Sequence, residues 1–308
     1  MHKWNRRQFI TTTLAAAAGF GLTRSAWGDA SSLYKISLIQ SSFSQSMKNG
    51  EHDPLRFAAL ARELDIETVE YCSHFFADKA EDSKYLGEMK KVADGEGVRG
   101  LRLHCVDIGR LGDPDKAQRM AAVEGHLRWM AAAKELGCTS IRANANSDRE
   151  LMSDEQESLV VDGLIKVCAA AEEHGLDVLI ANEGGLTCDP HWMRNVLIRL
   201  EHPRLALLAD FDHFTVNEER VLNRYDVVEG MLKMSRGISA TAHDFDDKGQ
   251  ETSMDYARLI GIVVGGGYRD EIGINYVGTR LSDADGIRAT RELIVNSAKF
   301  LMRSQGRG

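Results

Sequence analysis

Polar and ionisable residues gather at a few places in this chain, each at the downstream end of a short apolar run. His104, Cys105 and Asp107 close one run; Arg142, Asn144 and Asn146 close a second. Asn182 and Glu183, with Gly184-Gly185 behind them, close a third, and Asp210, Asp212 and His213 a fourth. His243, Asp244, Asp246 and Asp247 follow a fifth, and Asn275 and Tyr276 a sixth. Glu, Asp and His are the side chains that bind divalent cations. A cation so held polarises the carbonyl and hydroxyl oxygens of a sugar and stabilises an enediolate. A carboxylate beside it can carry a proton between neighbouring carbons. Several of these residues also have plainer readings. Asp107 and Asp189 suit caps of turns or helices. Asp244, Asp246 and Asp247 precede Lys248-Gly249 and suit a solvated turn. His104, inside an apolar strand, suits a hydrogen-bonded core histidine as well as a substrate contact. Arg142, between Ile141 and Ala143, needs a carboxylate partner if buried. Glu183 and His243 are harder to assign to structure alone, because an unpaired charge after a buried strand is costly.

The elements that must position these residues alternate along the chain. Apolar runs of four to seven residues predict strands at Lys35–Ile39, Thr68–Tyr71, Gly100–Val106, Ser140–Ala143, Asp177–Ala181, Leu205–Ala209, Ile238–Ala242 and Glu271–Tyr276. Their near-continuous Val, Ile and Leu suit parallel strands buried on both faces. Helical patterns lie between them. Pro54–Leu64 opens behind Asp53 as N-cap; Asp115–Leu136 stops at Gly137, and Asp154–His174 at Gly175. Asp189-Pro190 starts a shorter helix that Pro203 closes, and Glu219–Ser235, Asp255–Val264 and Asp283–Arg303 follow. Alternation of this kind predicts a single-domain (β/α)8 TIM barrel, α/β in class, in which chemistry sits at the C-terminal strand ends. An open doubly wound sheet is the competitor, but Ile39-Gln40-Ser41-Ser42 is no glycine-rich dinucleotide turn.

Composition bounds the reading. The 308 residues carry a net charge of −8, with 27% charged and 43% hydrophobic residues, which excludes a mainly disordered chain. The acidic balance argues against a general nucleic-acid binder. Residues 1–28 read as an export signal: Lys3, Arg6 and Arg7 precede an uncharged stretch from Ile10 to Thr23, and Ala26-Trp27-Gly28 suits cleavage. That stretch is too short for a stable membrane span. Asn5-Arg6-Arg7-Gln8-Phe9-Ile10 resembles the twin-arginine motif, which implies the twin-arginine export machinery as partner and a periplasmic or secreted protein. Removal of residues 1–28 takes away four basic residues and no acid, leaving 34 basic against 46 acidic, or −12, on a barrel domain expected at 29–308. Five cysteines, Cys72, Cys105, Cys138, Cys168 and Cys188, show no metal-ribbon spacing, and small buried side chains are their expected role.

From about Val69 to Gly278 the chain resembles the sugar phosphate isomerase/epimerase group of xylose-isomerase-like TIM barrels. Leu111-Gly112-Asp113-Pro114-Asp115, Arg119, Trp129 and Ala133–Arg142 with Asn144 carry part of the likeness. Asn182–Trp192 resembles the family's E-N-H-G-G-L-S-S-D-P-x-W, and Ala209–Phe214 its P-D-F-G-N-F. His243–Asp246 and Gly267-Tyr268-Arg269 fit the end of the barrel. The resemblance implies a divalent metal (Mn, Mg, Co or Zn) on four strand ends. Aligned on Gly184-Gly185, those positions fall at Ala181, Asp210, near Ser239 and at Asn275, so Asp210 alone is a strong ligand. Because residues two apart on a strand face the same way, a displaced metal set of Asp210, Glu183, Asp212 and His243 is expected one step outward. Glu183 and His243 are then the catalytic candidates, and His104, Arg142, Asn144, His213 and Asn275 the candidate substrate-binding residues. The expected activity is isomerase- or epimerase-like, by metal-assisted proton transfer next to a carbonyl of a small carbohydrate. Sugar phosphates are chiefly intracellular and no phosphate cradle is evident, so an exported enzyme implies an unphosphorylated sugar or sugar derivative. A non-catalytic sugar-binding barrel that has lost the metal is the alternative, as is a lyase or dehydratase on oxidised sugars.

Overall fold

The computed structural model describes residues 34–305; the expected signal at 1–28 lies outside the described residues. The strands are β1 (Lys35–Ile39), β2 (Thr68–Cys72), β3 (Arg99–His104), β4 (Ser140–Ala143), β5 (Asp177–Ala181), β6 (Leu205–Asp210), β7 (Ser235–Ala242) and β8 (Glu271–Tyr276). All neighbours pair in parallel, and β1 closes on β8, giving one eight-stranded barrel. A main helix follows each strand: α1 (Phe57–Glu63), α2 (Ser83–Gly95), α3 (Lys116–Glu135), α4 (Ser153–His174), α5 (Pro190–Leu200), α6 (Arg224–Leu232), α7 (Tyr256–Gly265) and α8 (Asp283–Gln305). This is the (β/α)8 TIM barrel that the alternation predicts. Among the described residues no helix is long and apolar enough to cross a membrane.

Local chemistry explains most helix boundaries. Asp53, Asp115 and Asp189 accept hydrogen bonds from the first free N–H groups of the segments they open. Gly175 ends α4 in the left-handed conformation. Two boundaries differ from the sequence reading. α2 is a helix the sequence reading does not include, although Leu86, Met89 and Ala93 recur at helical spacing and are buried, and Asp82 caps it. α6 is shorter than the span Glu219–Ser235, because residues 214–222 fold back on themselves. Val216 N–H donates to Arg220 O and Leu222 N–H to Phe214 O, while the Asn217 side chain accepts from Glu219 and Arg220. The helix then starts at its own cap, Asn223.

Strand alternation divides the apolar residues into two sets. Val69, Tyr71, Leu103, Ile141, Ala143, Val178, Ile180, Leu205, Leu207, Ile238, Ala240, Ile272 and Ile274 join the helices in one continuous core. The intervening residues point into the barrel. On β5 and β6 they are Leu179, Ala181, Ala206 and Leu208, a separate small apolar cluster. On β1 to β4 most are polar: Ser37, Glu70, Arg102, His104 and Ser140 are all buried, with Ile39 as an apolar neighbour across from Gly273. The barrel interior is thus apolar on one side and charged on the other. The five cysteines are free and buried, as their apolar setting implies.

Candidate functional site

The charged side of the interior forms a continuous chain from the barrel centre to its mouth. Glu70, fully buried, accepts from Ser37 Oγ at 2.6 Å, Arg102 Nη1 at 2.6 Å and His104 Nε2 at 2.7 Å. Glycines opposite make the room: a Cβ at Gly273 would lie 2.7 Å from Glu70 Oε1, and one at Gly237 2.8 Å from Arg102 Nη2. His104 Nδ1 stands 3.2 Å from Arg142 Nη1, and Arg142 Nε and Nη2 each stand 2.7 Å from Glu183 Oε1. An arginine can only donate. His104 Nδ1 therefore accepts, its Nε2–H donates to Glu70, and the ring is neutral. The charges agree with this tautomer. Burial pushes the Glu70 carboxyl up, but Arg102, His104 and Ser37 outweigh it and hold the group at about 2. Burial pushes His104 down to about 4, with Glu70 opposing and both arginines assisting.

At the mouth, Glu183 and Arg142 stand at the ends of β5 and β4, and a second pair stands at the ends of β6 and β7. His243 Nε2 lies 3.0 Å from Asp212 Oδ1, with the ring half-exposed. Between the pairs, Asp210 Oδ2 accepts from Thr241 Oγ1 at 2.8 Å and its Oδ1 from Asp212 N–H at 2.8 Å. Asn275 donates to Thr241 Oγ1 at 2.9 Å and accepts from Ser41 Oγ at 2.6 Å. Burial of Arg142 draws its pKa down, but the carboxylates of Glu183 and then Asp210 overcome this and raise it.

Each expected residue can now be placed. Arg142, Glu183, Asp210 and Asn275 share the floor of the mouth, Asp212 and His243 lie beside it, and His213 is exposed, its carbonyl accepting from Asn182 Nδ2 at 2.6 Å. Asn144 ends β4, its N–H donating to His126 Nε2 at 3.2 Å. His104 is only 1% exposed with both ring nitrogens engaged, so it is the hydrogen-bonded core histidine and holds Arg142 rather than a ligand. Asp189 is a cap and also pairs with Arg220. Asp246 accepts from Lys248 and Gln250 N–H in a turn, as its solvated setting implies. Asp244 accepts from Thr279 and Arg280 N–H, tying the β7 end to the loop after β8. Glu70 and Arg102 are absent from the sequence reading. Their signal was available: opposite charges at the centres of two adjacent apolar strands must be partnered.

The donors do not fit a divalent cation as arranged. At the four positions implied by the resemblance, Ala181 has no donor, Ser239 lies against Thr241, and both Asp210 oxygens and both ends of the Asn275 amide already have partners. The displaced set of Asp210, Glu183, Asp212 and His243 is instead divided: Glu183 pairs with Arg142, Asp212 lies 3.0 Å from His243, and Asp210 is held by Thr241 and Asp212 N–H. Among the described residues no group of three or more His, Cys, Asp or Glu is placed to hold a metal.

Two buried neutral histidines give the fold a pH dependence. His126, fully buried in α3, donates Nδ1–H to Ala122 O at 2.7 Å and accepts from Asn144 N–H. Burial lowers it to about 4, the Ala122 bond opposing. For both His104 and His126 the folded pKa lies below the unfolded one. Their contribution is complete above about pH 6.5 and is lost as pH falls toward 4, each at up to about 1.4 kcal/mol per pH unit. Glu70 extends the loss between about 4.5 and 2. Denaturant midpoints are expected to fall from pH 7.5 to pH 5, and His126→Leu to flatten that slope. An equal slope in the variant would contradict the assignment.

A family model described as xylose isomerase-like TIM barrel matches residues 58–296, and the chain belongs to that family. No curated protein sequence matches it. Among solved structures it is similar to an L-ribulose 3-epimerase, with TM-score 0.69 and 15% identity over 89% of this chain and 97% of that one. It is similar to the IOLI protein solved with a binding zinc atom, with TM-score 0.66 and 12% identity over 86% and 98%. It is also similar to the 3-keto-D-glucoside 4-epimerase YcjR from E. coli in apo form, with TM-score 0.64 and 14% identity over 84% and 98%. At these identities the likeness is one of fold.

Proposed function

We propose that this protein acts on an unphosphorylated sugar or sugar derivative by proton transfer next to a carbonyl, as an isomerase or epimerase. The observation that carries the reading is two side-chain pairs at neighbouring strand ends, the ion pair Arg142–Glu183 and the contact Asp212–His243. Asp212 Oδ1 stands 3.0 Å from His243 Nε2, close enough to stabilise the imidazolium that forms when His243 acts as a general base. His243 takes the proton from the carbon beside the carbonyl, and the electron pair moves onto the carbonyl oxygen as an enediolate. Arg142, fixed by Glu183 and His104, stabilises that negative oxygen with its remaining N–H groups. The protonated imidazole returns the proton to carbon. Asp210, Asn275, Asn144 and His213 hold hydroxyl groups. No step is assigned to a metal, because the donors present do not fit one. The family and its epimerase neighbours support the sugar class. Deuterium incorporation into candidate ketoses and aldoses in heavy water, followed by NMR, tests the reading.

One observation favours a second reading. Ala181, Ser239 and Asn275 stand where the resemblance places ligands, which suits a barrel that binds a sugar without transforming it. Sugar binding with no incorporation of label would select it. We further infer that residues 1–28 direct export, supported by Arg6-Arg7 ahead of an uncharged stretch. Replacing both arginines by lysine is expected to retain the protein in the cytoplasm, read by fractionation. Undiminished export would remove the twin-arginine assignment.

A further inference from the structure

Beside the mouth the surface opens into a groove of about 410 Å3 lined by Arg110, Asn144, Asn146, Ser147, Asp148 and Arg149. Arg110 is fixed at one side. Its Nη2 and Nε stand 2.9 and 3.3 Å from Asp113 Oδ2, and its Nη1 donates to Ser147 O at 3.2 Å. Arg149 differs. Among the described residues it makes no ion pair or hydrogen bond, although the chain is acidic overall. Its position is nonetheless defined. A Cβ at Gly184 would lie 2.9 Å from Arg149 Nη2, and one at Gly185 3.4 Å from Nε. Both glycines have positive φ, 106° and 69°, so the loop after β5 offers a bare backbone notch in which the guanidinium rests. Asn144 Oδ1 accepts from Asn146 N–H at 3.0 Å, which leaves the Asn144 NH2 as an unused donor in the same groove. Asp148 is the one carboxylate of the lining, and its Oδ1 is turned to Glu150 N–H at 3.1 Å.

The groove is continuous with the mouth along the chain on both sides. Asn144 lies two residues beyond Arg142, and Gly184 directly follows Glu183. Arg149, resting against Gly184, is therefore within reach of a sugar bound beside Glu183. A guanidinium with an open fork matches the two oxygens of a carboxylate, and such charge-assisted bonds are about twice as strong as neutral ones. A hydroxyl group alone would leave the charge unmatched.

We propose that Arg149, with Asn144, binds a carboxylate of the substrate, so that the protein prefers an acidic sugar derivative of the uronate type over the neutral sugar. This inference rests on the mouth being a sugar site. It goes beyond that reading by naming the substrate class and the residue that selects it.

Calorimetric titration of the full-length protein and of Arg149→Gln and Arg149→Lys with D-glucuronate, D-galacturonate, D-glucose and D-glucose 6-phosphate tests it at fixed ionic strength. The wild type is expected to bind one uronate at least about 10-fold more tightly than glucose. Arg149→Gln is expected to abolish that preference while leaving glucose affinity within about twofold. Arg149→Lys, with a point charge in place of a fork, is expected to retain part of it. Arg149 is exposed, so unfolding midpoints should match the wild type and exclude misfolding as the cause. Equal affinity for uronate and glucose would overturn the inference and leave the sugar site standing. A preference for the phosphate that Arg149→Gln removes would replace carboxylate by phosphate and overturn it as stated. Failure of every sugar to bind would overturn the sugar site and this inference together.

Discussion

Replacing Glu70 by alanine is expected to lower the unfolding free energy by roughly 3–5 kcal/mol, the range for breaking a buried ion pair by removal of one partner. The cost comes from what remains. Arg102, with its side chain 3% exposed, keeps its charge but loses its counter-ion, while Ser37 Oγ and His104 Nε2–H lose their acceptor. The exposed pair Arg62–Glu67 provides the contrast: Glu67→Ala should change stability by no more than about 1 kcal/mol. Removing both buried charges together, as Glu70→Leu with Arg102→Met, should cost less than Glu70→Ala alone. Urea midpoints at pH 7.5 check all three. A Glu70→Ala midpoint equal to that of Glu67→Ala would mean that the interior charge chain does not exist as described. The same variant should also reduce proton exchange, although Glu70 lies below the mouth, because it releases His104 and through it Arg142.

The second large effect is on chemistry. His243→Gln is expected to slow deuterium incorporation by 10²–10⁴-fold, the usual contribution of a positioned general base. Sugar affinity should change little, since the step lost is proton abstraction. Stability should also stay within about 0.5 kcal/mol, as His243 is half-exposed at a strand end and buries no network. Asp212→Asn should give a smaller loss, because it leaves the base in place and removes only the carboxylate 3.0 Å away that stabilises the imidazolium. The two sites are thereby separable: Glu70→Ala lowers stability and exchange together, while His243→Gln lowers exchange alone. Unchanged exchange in His243→Gln would remove the base from the proposed mechanism.

The barrel was legible because its strands are short, apolar and bounded by caps that the sequence displays. Asp115 before α3 and Gly175 after α4 fix those helices by local chemistry alone. α6 was not, because residues 214–222 follow a side-chain turn at Asn217 that competes with the helical pattern. The polar strand ends were legible for the same reason as the barrel. Their grouping was not. Alternation places Glu183 and Asp212 on inward faces, but it does not say that an arginine from β4 will claim one carboxylate and a histidine from β7 the other. Glu70 was hidden by its surroundings: Thr68-Val69-Glu70-Tyr71 has the profile of a buried strand, and the acid within it counts as an exception until Arg102 is brought alongside. Arg149 was hidden differently, since its setting depends on the notch at Gly184-Gly185, one helix and one strand further along the chain.

The central claim is that the mouth moves a proton with its own side chains. Its most direct test is deuterium exchange measured on protein stripped of metal by chelation, with metal content verified, against the same protein supplied with Mn, Mg, Co or Zn. The expected result is label incorporation beside the sugar carbonyl in the stripped protein, unchanged by added metal and lost in His243→Gln. Exchange that is absent from the stripped protein and restored by a divalent cation would contradict the account.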